Sequence, residues 1–211
     1  QVSTRYKDRA DSIAKVSDLL AVMAAAQPGH YLAFFPSYSY LQQVWEDFTA
    51  RYPDQPTLCQ ESAMDEGQRT EFLAQFLARD GKPLLGFAVL GGVFGEGVDL
   101  TGESLIGVAV VSLGLPQIGP RQEQLRDYFE ETRGAGFDYA YRYPGMNKVL
   151  QAAGRVIRTP QDRGVVLLID DRFLAPDTRR LMPPHWEHLR VVDSADAWKD
   201  ELAAFWKKHE P

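Results

Sequence analysis

The chain has 211 residues, of which 45% are hydrophobic and 25% are charged, and its formal net charge is −6. These values are ordinary for a soluble globular protein, and the length suits one large α/β domain. The negative charge disfavours a surface coated with basic side chains for duplex DNA, although it permits a narrow groove for a single strand. Apolar runs stay well short of the ~20 residues that a membrane span needs.

Cys59 is the sole cysteine of the sequence, so no internal disulfide can form. This suits a reducing compartment, and we expect a cytoplasmic protein without a membrane partner. The N-terminal residues lack the apolar segment of a signal peptide. Because the sequence does not begin with Met, we expect a fragment of a longer protein. A single thiol also excludes an iron–sulfur cluster built from this chain alone, since such clusters need several thiolates.

Apolar runs and helical patterns alternate along the sequence. The apolar runs predict strands at 31–36, 57–60, 84–93, 104–113, 164–170 and 189–192. The 3.6-residue periodicity predicts helices at 39–51, 66–79, 121–132, 144–158 and 195–208. Because the strands are continuously apolar, they indicate a mostly parallel sheet buried on both faces by helices.

We therefore predict a single α/β domain with a mostly parallel central sheet over residues 1–211. Residues 115–143 are polar or rich in proline and glycine, which makes them a candidate excursion from the sheet. Residues 195–208 are expected to close the domain as an amphipathic helix.

A pair of arginines one turn apart lies near the end of the predicted helix 144–158. At roughly 100° per residue, one helical stripe contains Gln151, Gly154, Arg155 and Arg158. Glycine inside a helix costs about 1 kcal/mol relative to alanine, so close approach of another surface is a natural compensation. Each guanidinium presents a planar fork to phosphate oxygens, which favours a polyanion site. The alternative is an ordinary amphipathic helix with solvated or paired arginines.

A glycine-rich segment follows the predicted strand 84–93 and contains Glu96, Gly97 and Asp99. In open α/β sheets ligands bind beyond the carboxyl ends of strands, and glycines there let backbone amides approach them. The two carboxylates are candidates for binding a ribose hydroxyl or orienting a water. The alternative is a tight turn with solvated carboxylates.

Ser37 and Tyr38 follow the aromatic strand 31–36. A hydroxyl at a strand end can bond a phosphate, and an aromatic ring can stack on an unpaired base for about 1–3 kcal/mol. The alternative for Tyr38 is packing on the following helix.

No metal site is predicted in this chain. His185 and His188 lack a third ligand nearby, and prolines precede them. Asp170 and Asp171 follow a strand, but a helix cap or an ion pair with Arg172 is a better interpretation than a magnesium site.

Three of these segments together resemble motifs of superfamily 2 helicases. Gln-x-x-Gly-Arg-x-x-Arg at 151–158 resembles motif VI, Glu-Gly-Val-Asp at 96–99 resembles motif V, and Phe-Phe-Pro-Ser-Tyr at 34–38 resembles motif IV. Residues 143–173, which end in Asp-Asp-Arg-Phe, are similar to the XPD/DinG/Rad3-related branch. The resemblance implies a RecA-like three-layer fold and the second motor domain of an ATP-dependent 5′–3′ DNA helicase.

The resemblance also implies a role for each candidate residue. Arginine fingers and their catalytic neighbour would be Arg155, Arg158 and Gln151. Nucleotide-binding residues would be Glu96, Gly97, Asp99 and Gly154. Residues of the single-stranded DNA track would be Ser37 and Tyr38.

In this family the phosphate-binding loop and the magnesium ligands lie on the first motor domain. No Gly-x-x-x-x-Gly-Lys-Ser/Thr loop occurs in this sequence, since Gly81 and Lys82 are followed by Pro83. ATP and Mg²⁺ are therefore expected to be held mainly by an N-terminal RecA-like motor domain, which would also carry any iron–sulfur cluster. The expected partners are that domain and single-stranded DNA, and the isolated chain is expected to be inactive.

Two alternatives to a helicase motor domain remain at this point. One is a catalytically silent RecA-like protein-interaction module. The other is a small-molecule enzyme of the doubly wound class, for which the glycines at 91–97 have the wrong spacing.

Overall fold

The computed structural model describes residues 2–78, 83–92, 94, 105–157 and 162–208. Within these residues five strands form one sheet in the order β2-β3-β1-β4-β5, and every neighbouring pair is parallel. The strands are β1 (His30–Phe35), β2 (Thr57–Cys59), β3 (Leu84–Val89), β4 (Gly107–Val111) and β5 (Val165–Ile169). The predicted parallel sheet is confirmed.

The helices connect these strands and flank the sheet. They are α1 (Arg9–Ala26), α2 (Tyr38–Arg51), α3 (Glu66–Leu77), α4 (Pro120–Arg133), α5 (Tyr143–Ala153), α6 (Pro176–Arg179) and α7 (Ala195–Lys208). Short 3-10 turns lie at Tyr6–Asp8, Asp171–Leu174 and Pro184–Trp186, and a π-helical turn at Asp138–Arg142 leads into α5. In the part of the chain described, no helix combines the length and apolarity needed to cross a bilayer.

Both faces of the sheet are buried, which explains why the strands are continuously apolar. Successive side chains of a strand point to opposite faces. Tyr31, Ala33 and Phe35 of β1 belong to a core shared with α1, α2 and α7. Leu32 and Phe34 belong to the opposite core, which α3 and α5 complete. The predicted three-layer α/β class is therefore confirmed.

Helix α1 was not predicted, because polar side chains interrupt its buried face. Ser12 and Ser17 are both buried there. The hydroxyl of Ser12 lies 2.5 Å from the hydroxyl of Tyr40, so a hydrogen bond to α2 satisfies a group that would otherwise be costly to bury. Because hydrogen-bonded polar residues occupy buried positions where apolar residues are expected, the apolar periodicity of this helix is not visible in the sequence.

The strand predicted at 189–192 is wrong. The chain there has no regular secondary structure and pairs with no strand of the described sheet. Val191 is 61% exposed, so an apolar run did not imply burial at this position. A strand forms only where its backbone can pair with a neighbouring strand, even when its side chains favour an extended conformation.

The N-terminal residues fasten to the end of β5. The backbone N–H of Thr4 donates to a carboxylate oxygen of Asp170 at 3.1 Å, and the Thr4 hydroxyl donates to the same oxygen. The N–H of Asp171 donates to the carbonyl of Val2 at 2.8 Å. Arg5 forms an ion pair with Asp171 at 2.7 Å. We call residues 2–5 the N-terminal strap.

Asp170 is the centre of this attachment. Its side chain is fully buried, and its carboxylate pairs with the guanidinium of Arg172 at 2.7 Å. It also accepts from the backbone N–H of Arg172 at 2.8 Å, so the predicted cap and ion pair are both confirmed. Burial by itself raises the pKa of the Asp170 carboxyl, but the hydrogen bonds and charge of Arg172, with the Thr4 hydroxyl, hold that pKa below its usual value.

Replacing Asp170 by asparagine should destabilise the domain strongly. We expect Asp170→Asn to lower the free energy of unfolding by about 3–5 kcal/mol, because Arg172 loses its buried counter-charge. Urea denaturation measures this change. The matched control is Asp127→Asn, whose side chain is 64% exposed and pairs with the 44% exposed Arg126, and it should cost less than about 1 kcal/mol. Similar losses in the two variants would contradict this account.

Acid should weaken the same attachment. A carboxyl with a lowered pKa contributes stability that is fully present above the ordinary aspartate pKa of about 3.9. That stability is lost as the pH falls through the lower pKa of the folded state. The unfolding free energy of the parent chain should therefore fall more steeply than that of Asp170→Asn between roughly pH 5 and pH 2. Parallel curves for the two proteins would exclude Asp170 as the source.

Candidate functional site

The strand order creates a crevice at the carboxyl edge of the sheet. The chain leaves β1 towards β2 and β3 on one side, and it later enters β4 and β5 on the other. Ligands of open α/β sheets bind where the strand order reverses in this way. Ser37 follows β1 after one proline, and Ser112 directly follows β4. The predicted DNA-binding residues Ser37 and Tyr38 therefore lie at this crevice.

Ser37 serves first as the N-cap of α2. Its hydroxyl accepts from the backbone N–H of Tyr40 at 3.4 Å and from a guanidinium nitrogen of Arg9 at 3.4 Å. Its own hydrogen remains a donor, because a hydroxyl that accepts still carries one hydrogen. Ser37 can thus cap the helix and offer a donor to a ligand.

Tyr38 is half-buried at the first position of α2, and its hydroxyl is held by a buried neighbour. The side-chain nitrogen Nε2 of Gln60 donates to the Tyr38 hydroxyl oxygen at 3.0 Å. Gln60 directly follows β2 and is only 5% exposed. The tyrosine is therefore positioned from a neighbouring strand end as well as from its own helix.

Two guanidinium groups stand among the hydroxyls of the crevice. Arg172 donates to the Ser112 hydroxyl at 3.1 Å, while Arg9 reaches Ser37. Burial lowers the pKa of the Arg9 guanidinium, the charge of Arg172 lowers it further, and Tyr40 opposes both effects. Hydrogen-bond donors thus gather at one place, an arrangement that suits phosphate oxygens, although Asp170 offsets the charge of Arg172.

Ser112 holds a strained backbone conformation in this crevice. Its φ angle is 87°, and among the described residues no other non-glycine residue has a positive φ. Such a conformation costs roughly 1–3 kcal/mol and concentrates at functional sites. The hydrogen bond from its N–H to the carbonyl of Ile169, at 3.1 Å, and the bond from Arg172 hold it there.

Helix α5 ends earlier than predicted. The sequence predicts a helix to Arg158, but α5 ends at Ala153 and Gly154 is its C-cap. The N–H groups of Arg155 and Val156 then bond carbonyls three residues back, both at 3.2 Å, which makes a tight turn. This turn brings Val156 into the core, where it is 5% exposed. Burial of Val156 thus takes precedence over one more helical turn.

The predicted helical stripe is accordingly only partly helical. Gln151 and Gly154 are exposed, and Arg155 is half-buried in the turn that follows. Gly154 has φ −65°, so it is not required by backbone strain. Arg158 lies outside the described residues.

This end of α5 faces the amino edge of the sheet. Gly164, which precedes β5, packs so tightly that a Cβ atom built on it would lie 2.2 Å from Cγ1 of Val156. The same Cβ would lie 2.7 Å from the carbonyl oxygen of Ile106, which precedes β4. Gln151, Gly154 and Arg155 are thus brought together, but at the edge opposite to Ser37 and Tyr38.

Helix α5 passes the end of β3 on its way between the two edges. Gly91, beyond β3, has φ +74°, and a Cβ on it would lie 2.9 Å from Cε of Lys148. Lys148 is therefore packed over the start of the glycine-rich segment. The predicted nucleotide-binding residues Glu96, Gly97 and Asp99 lie outside the described residues.

Several residues at the carboxyl edge of the sheet were missed by the sequence analysis: Arg9, Gln60, Ser112 and Lys148. A usable signal exists for two of them. Gln60 and Ser112 are polar residues that directly follow a buried strand, which is the pattern that singled out Ser37. Arg9 and Lys148 lie on helices with no such marker.

Comparison with known proteins identifies the family to which this chain belongs. The family model described as "Helicase C-terminal domain" matches residues 20–189. Regulator of telomere elongation helicase 1 from Bos taurus is 30% identical over 96% of the chain, and the chain spans 18% of its length. The XPD helicase subunit of general transcription and DNA repair factor IIH from Schizosaccharomyces pombe is 27% identical over 92% of the chain, which spans 26% of its length.

A solved XPD helicase structure has the same fold. It superposes with a TM-score of 0.67 at 19% identity, covering 85% of this chain and 32% of that one. The RecA-like form expected from the motifs is thereby confirmed. The family match extends over most of the chain and includes β1 to β5. The chain therefore belongs to the helicase C-terminal domain family, in the XPD/DinG/Rad3-related branch of superfamily 2.

Proposed function

We propose that the chain is the second motor domain of an ATP-dependent 5′–3′ DNA helicase and supplies arginine fingers to ATP held by a first motor domain. The observation that carries this proposal is the end of α5 with the turn that follows it, where exposed Gln151 and Gly154 lie beside half-buried Arg155 in a helicase-family domain. Arg158 completes the set in sequence. The proposal extends beyond this chain, which spans about a quarter or less of the relatives described above.

The chemistry of the α5 end suits a transferring phosphoryl group. Planar guanidinium forks stabilise the charge that develops on the γ-phosphoryl oxygens, which is worth roughly 10³–10⁵ in rate. Gly154 is exposed and has no side chain, so a neighbouring surface can approach its backbone closely. Val156 is buried immediately behind Arg155 and anchors the turn that carries it. Gln151 lies beside them and, with the glycine-rich segment, would couple closure of the two motor domains to the single strand.

Motion would be coupled to the single strand through the glycine-rich segment and α5. In this proposal Glu96, Gly97 and Asp99 contact nucleotide together with Gly154. Ser37 and Tyr38 hold the DNA at the opposite edge of the sheet. Lys148 supports the link, because it packs on Gly91 and belongs to the same helix as Gln151.

ATP would be bound mainly outside this chain. The sequence has no phosphate-binding loop of the Walker type, so the first motor domain would provide it together with the magnesium ligands. Within this chain Arg155 and Arg158 would donate to phosphate oxygens, whereas the carboxylates of Glu96 and Asp99 would accept from a ribose hydroxyl or a water.

Removal of either arginine should impair catalysis more than DNA binding. In the full-length helicase, Arg155→Ala and Arg158→Ala should each lower DNA-stimulated ATP hydrolysis at least tenfold, since a finger contributes roughly 10³–10⁵. Phosphate release measures the rate, and fluorescence anisotropy with a labelled single strand should show affinity largely retained. The matched control is Arg69→Ala, an exposed arginine of α3 that should hydrolyse ATP normally.

Near-normal turnover in both variants would refute the finger assignment. It would favour the alternative of a silent RecA-like interaction module, for which neither arginine has a catalytic task.

The purified 211-residue chain should show no magnesium-dependent ATP hydrolysis. It lacks the loop that cradles the phosphates, so its arginines have no bound triphosphate to act on. A coupled ATPase assay, with the full-length helicase as positive control, checks this. Turnover that depends on Mg²⁺ and disappears in Arg155→Ala would show that the chain contains a nucleotide site of its own.

A further inference from the structure

The side chain of Gln60 completes the sheet where β2 stops. The N–H of Gln60 donates to the carbonyl of Phe87 at 2.8 Å, which continues the parallel ladder one step beyond Cys59. At the next step the N–H of Val89 donates to Oε1 of Gln60 at 2.8 Å. A side-chain oxygen thus takes the position of a backbone carbonyl. Because Gln60 is only 5% exposed, breaking either bond would leave a buried polar group unsatisfied.

The bond from Val89 fixes the orientation of the Gln60 amide. A backbone N–H can only donate, so the atom 2.8 Å from it must be the amide oxygen. The NH₂ group of Gln60 must then be the end that faces Tyr38, at 3.0 Å from its hydroxyl oxygen. An amide nitrogen can only donate, so the Tyr38 oxygen accepts in this contact.

It follows that the hydroxyl hydrogen of Tyr38 is turned away from Gln60. A phenol has one hydrogen, and it cannot lie along the bond that its oxygen is accepting. Among the residues that the structure describes, none accepts this hydrogen from Tyr38. The hydroxyl is therefore left as a donor to a ligand at the carboxyl edge of the sheet, near the end of β3.

We propose that Gln60 is a positioning residue that holds the Tyr38 hydroxyl as a hydrogen-bond donor to a phosphate oxygen of the single strand. The inference rests on the proposed function, in which Ser37 and Tyr38 belong to the DNA track. Phosphodiester oxygens only accept, whereas base edges present donors and acceptors in a sequence-dependent pattern. Arg9 beside Ser37 adds further donors at the same edge of the sheet. A donor hydroxyl finds an acceptor at every phosphodiester of the strand but only at some base edges, so the contact is independent of sequence.

The test exchanges donor and acceptor in the contact between residue 60 and Tyr38, using Gln60→Glu in the full-length helicase. In Gln60→Glu one carboxylate oxygen can still accept from Val89, while the other accepts the Tyr38 hydrogen and withdraws it from the strand. The dissociation constant for a labelled oligo(dT) strand should rise about tenfold, the loss expected for one hydrogen bond to a charged group. The loss should appear in the strand concentration that half-saturates ATPase stimulation, and not in the rate at saturating strand.

A double-mutant cycle separates the hydroxyl effect from the added negative charge. Tyr38→Phe keeps the ring and removes the hydroxyl, so it should weaken binding by a similar factor. Adding Gln60→Glu to Tyr38→Phe should then change affinity less than about twofold, because the two changes remove the same contact. An equal loss from Gln60→Glu in both backgrounds would mean simple charge repulsion and would overturn the inference.

A second measurement keeps the proposal testable if Gln60→Glu fails to fold. Neutral methylphosphonate linkages placed one at a time along the strand should weaken binding to the parent protein at one position. That position should lose its effect in Tyr38→Phe, and an unchanged profile would overturn the inference. If Tyr38→Phe and Tyr38→Ala both bind the strand normally, the DNA role in the proposed function fails. If Tyr38→Phe weakens binding while a folded Gln60→Glu binds normally, only the role of Gln60 fails.

Discussion

The parallel pairing of β1 with β3 on one side and with β4 on the other determines where the remaining features lie. Every strand delivers its carboxyl end to the same edge, and the chain must depart from β1 and β4 in opposite directions. The side chains that follow the strands therefore lie at this edge. Ser37, Gln60, Ser112 and Asp170 all reach this edge by following a strand.

A second constraint is the cost of burying polar groups at that edge. The carboxylate of Asp170 is tolerated because Arg172, Thr4 and a backbone N–H all donate to it. The same guanidinium then holds Ser112 in its strained conformation. Arg172 thus both stabilises the buried carboxylate and supplies a hydrogen-bond donor to the crevice. Changes to the attachment of the N-terminal strap should therefore alter the crevice as well.

Much of the sheet could be predicted from the sequence, because burial on both faces leaves continuous apolar runs at each strand. Local patterns failed where a long-range contact decided the outcome. The hydrogen bond between Ser12 and Tyr40 allows a polar residue on the buried face of α1, so the helix was not predicted. The burial of Val156 ends α5 before Arg158. Both outcomes depend on partners that are distant in sequence, which periodicity does not register.

The candidate site was predictable where a motif spans consecutive residues and unpredictable where the fold assembles it. Gln151, Gly154 and Arg155 stand together because they share one segment. Gln60 contacts Tyr38 only because β2 ends beside β3. The apolar pattern of the sequence does not predict where one strand ends relative to the other. The spans containing Glu96 and Arg158 lie outside the described residues, and their roles stay predictions.

The arginine-bearing turn and Tyr38 lie at opposite edges of the sheet, so the length of the strands separates them. Strands of five residues such as β4 and β5 span about 17 Å at roughly 3.3 Å per residue. If the turn after α5 acts as a fulcrum, a rotation of about 15°, as in known subunit rearrangements, would sweep the far edge by roughly 4 Å. Under the proposed function, the hydrogen-bonded sheet would act as a lever arm, and a small closure at the nucleotide would become a longer displacement at the DNA.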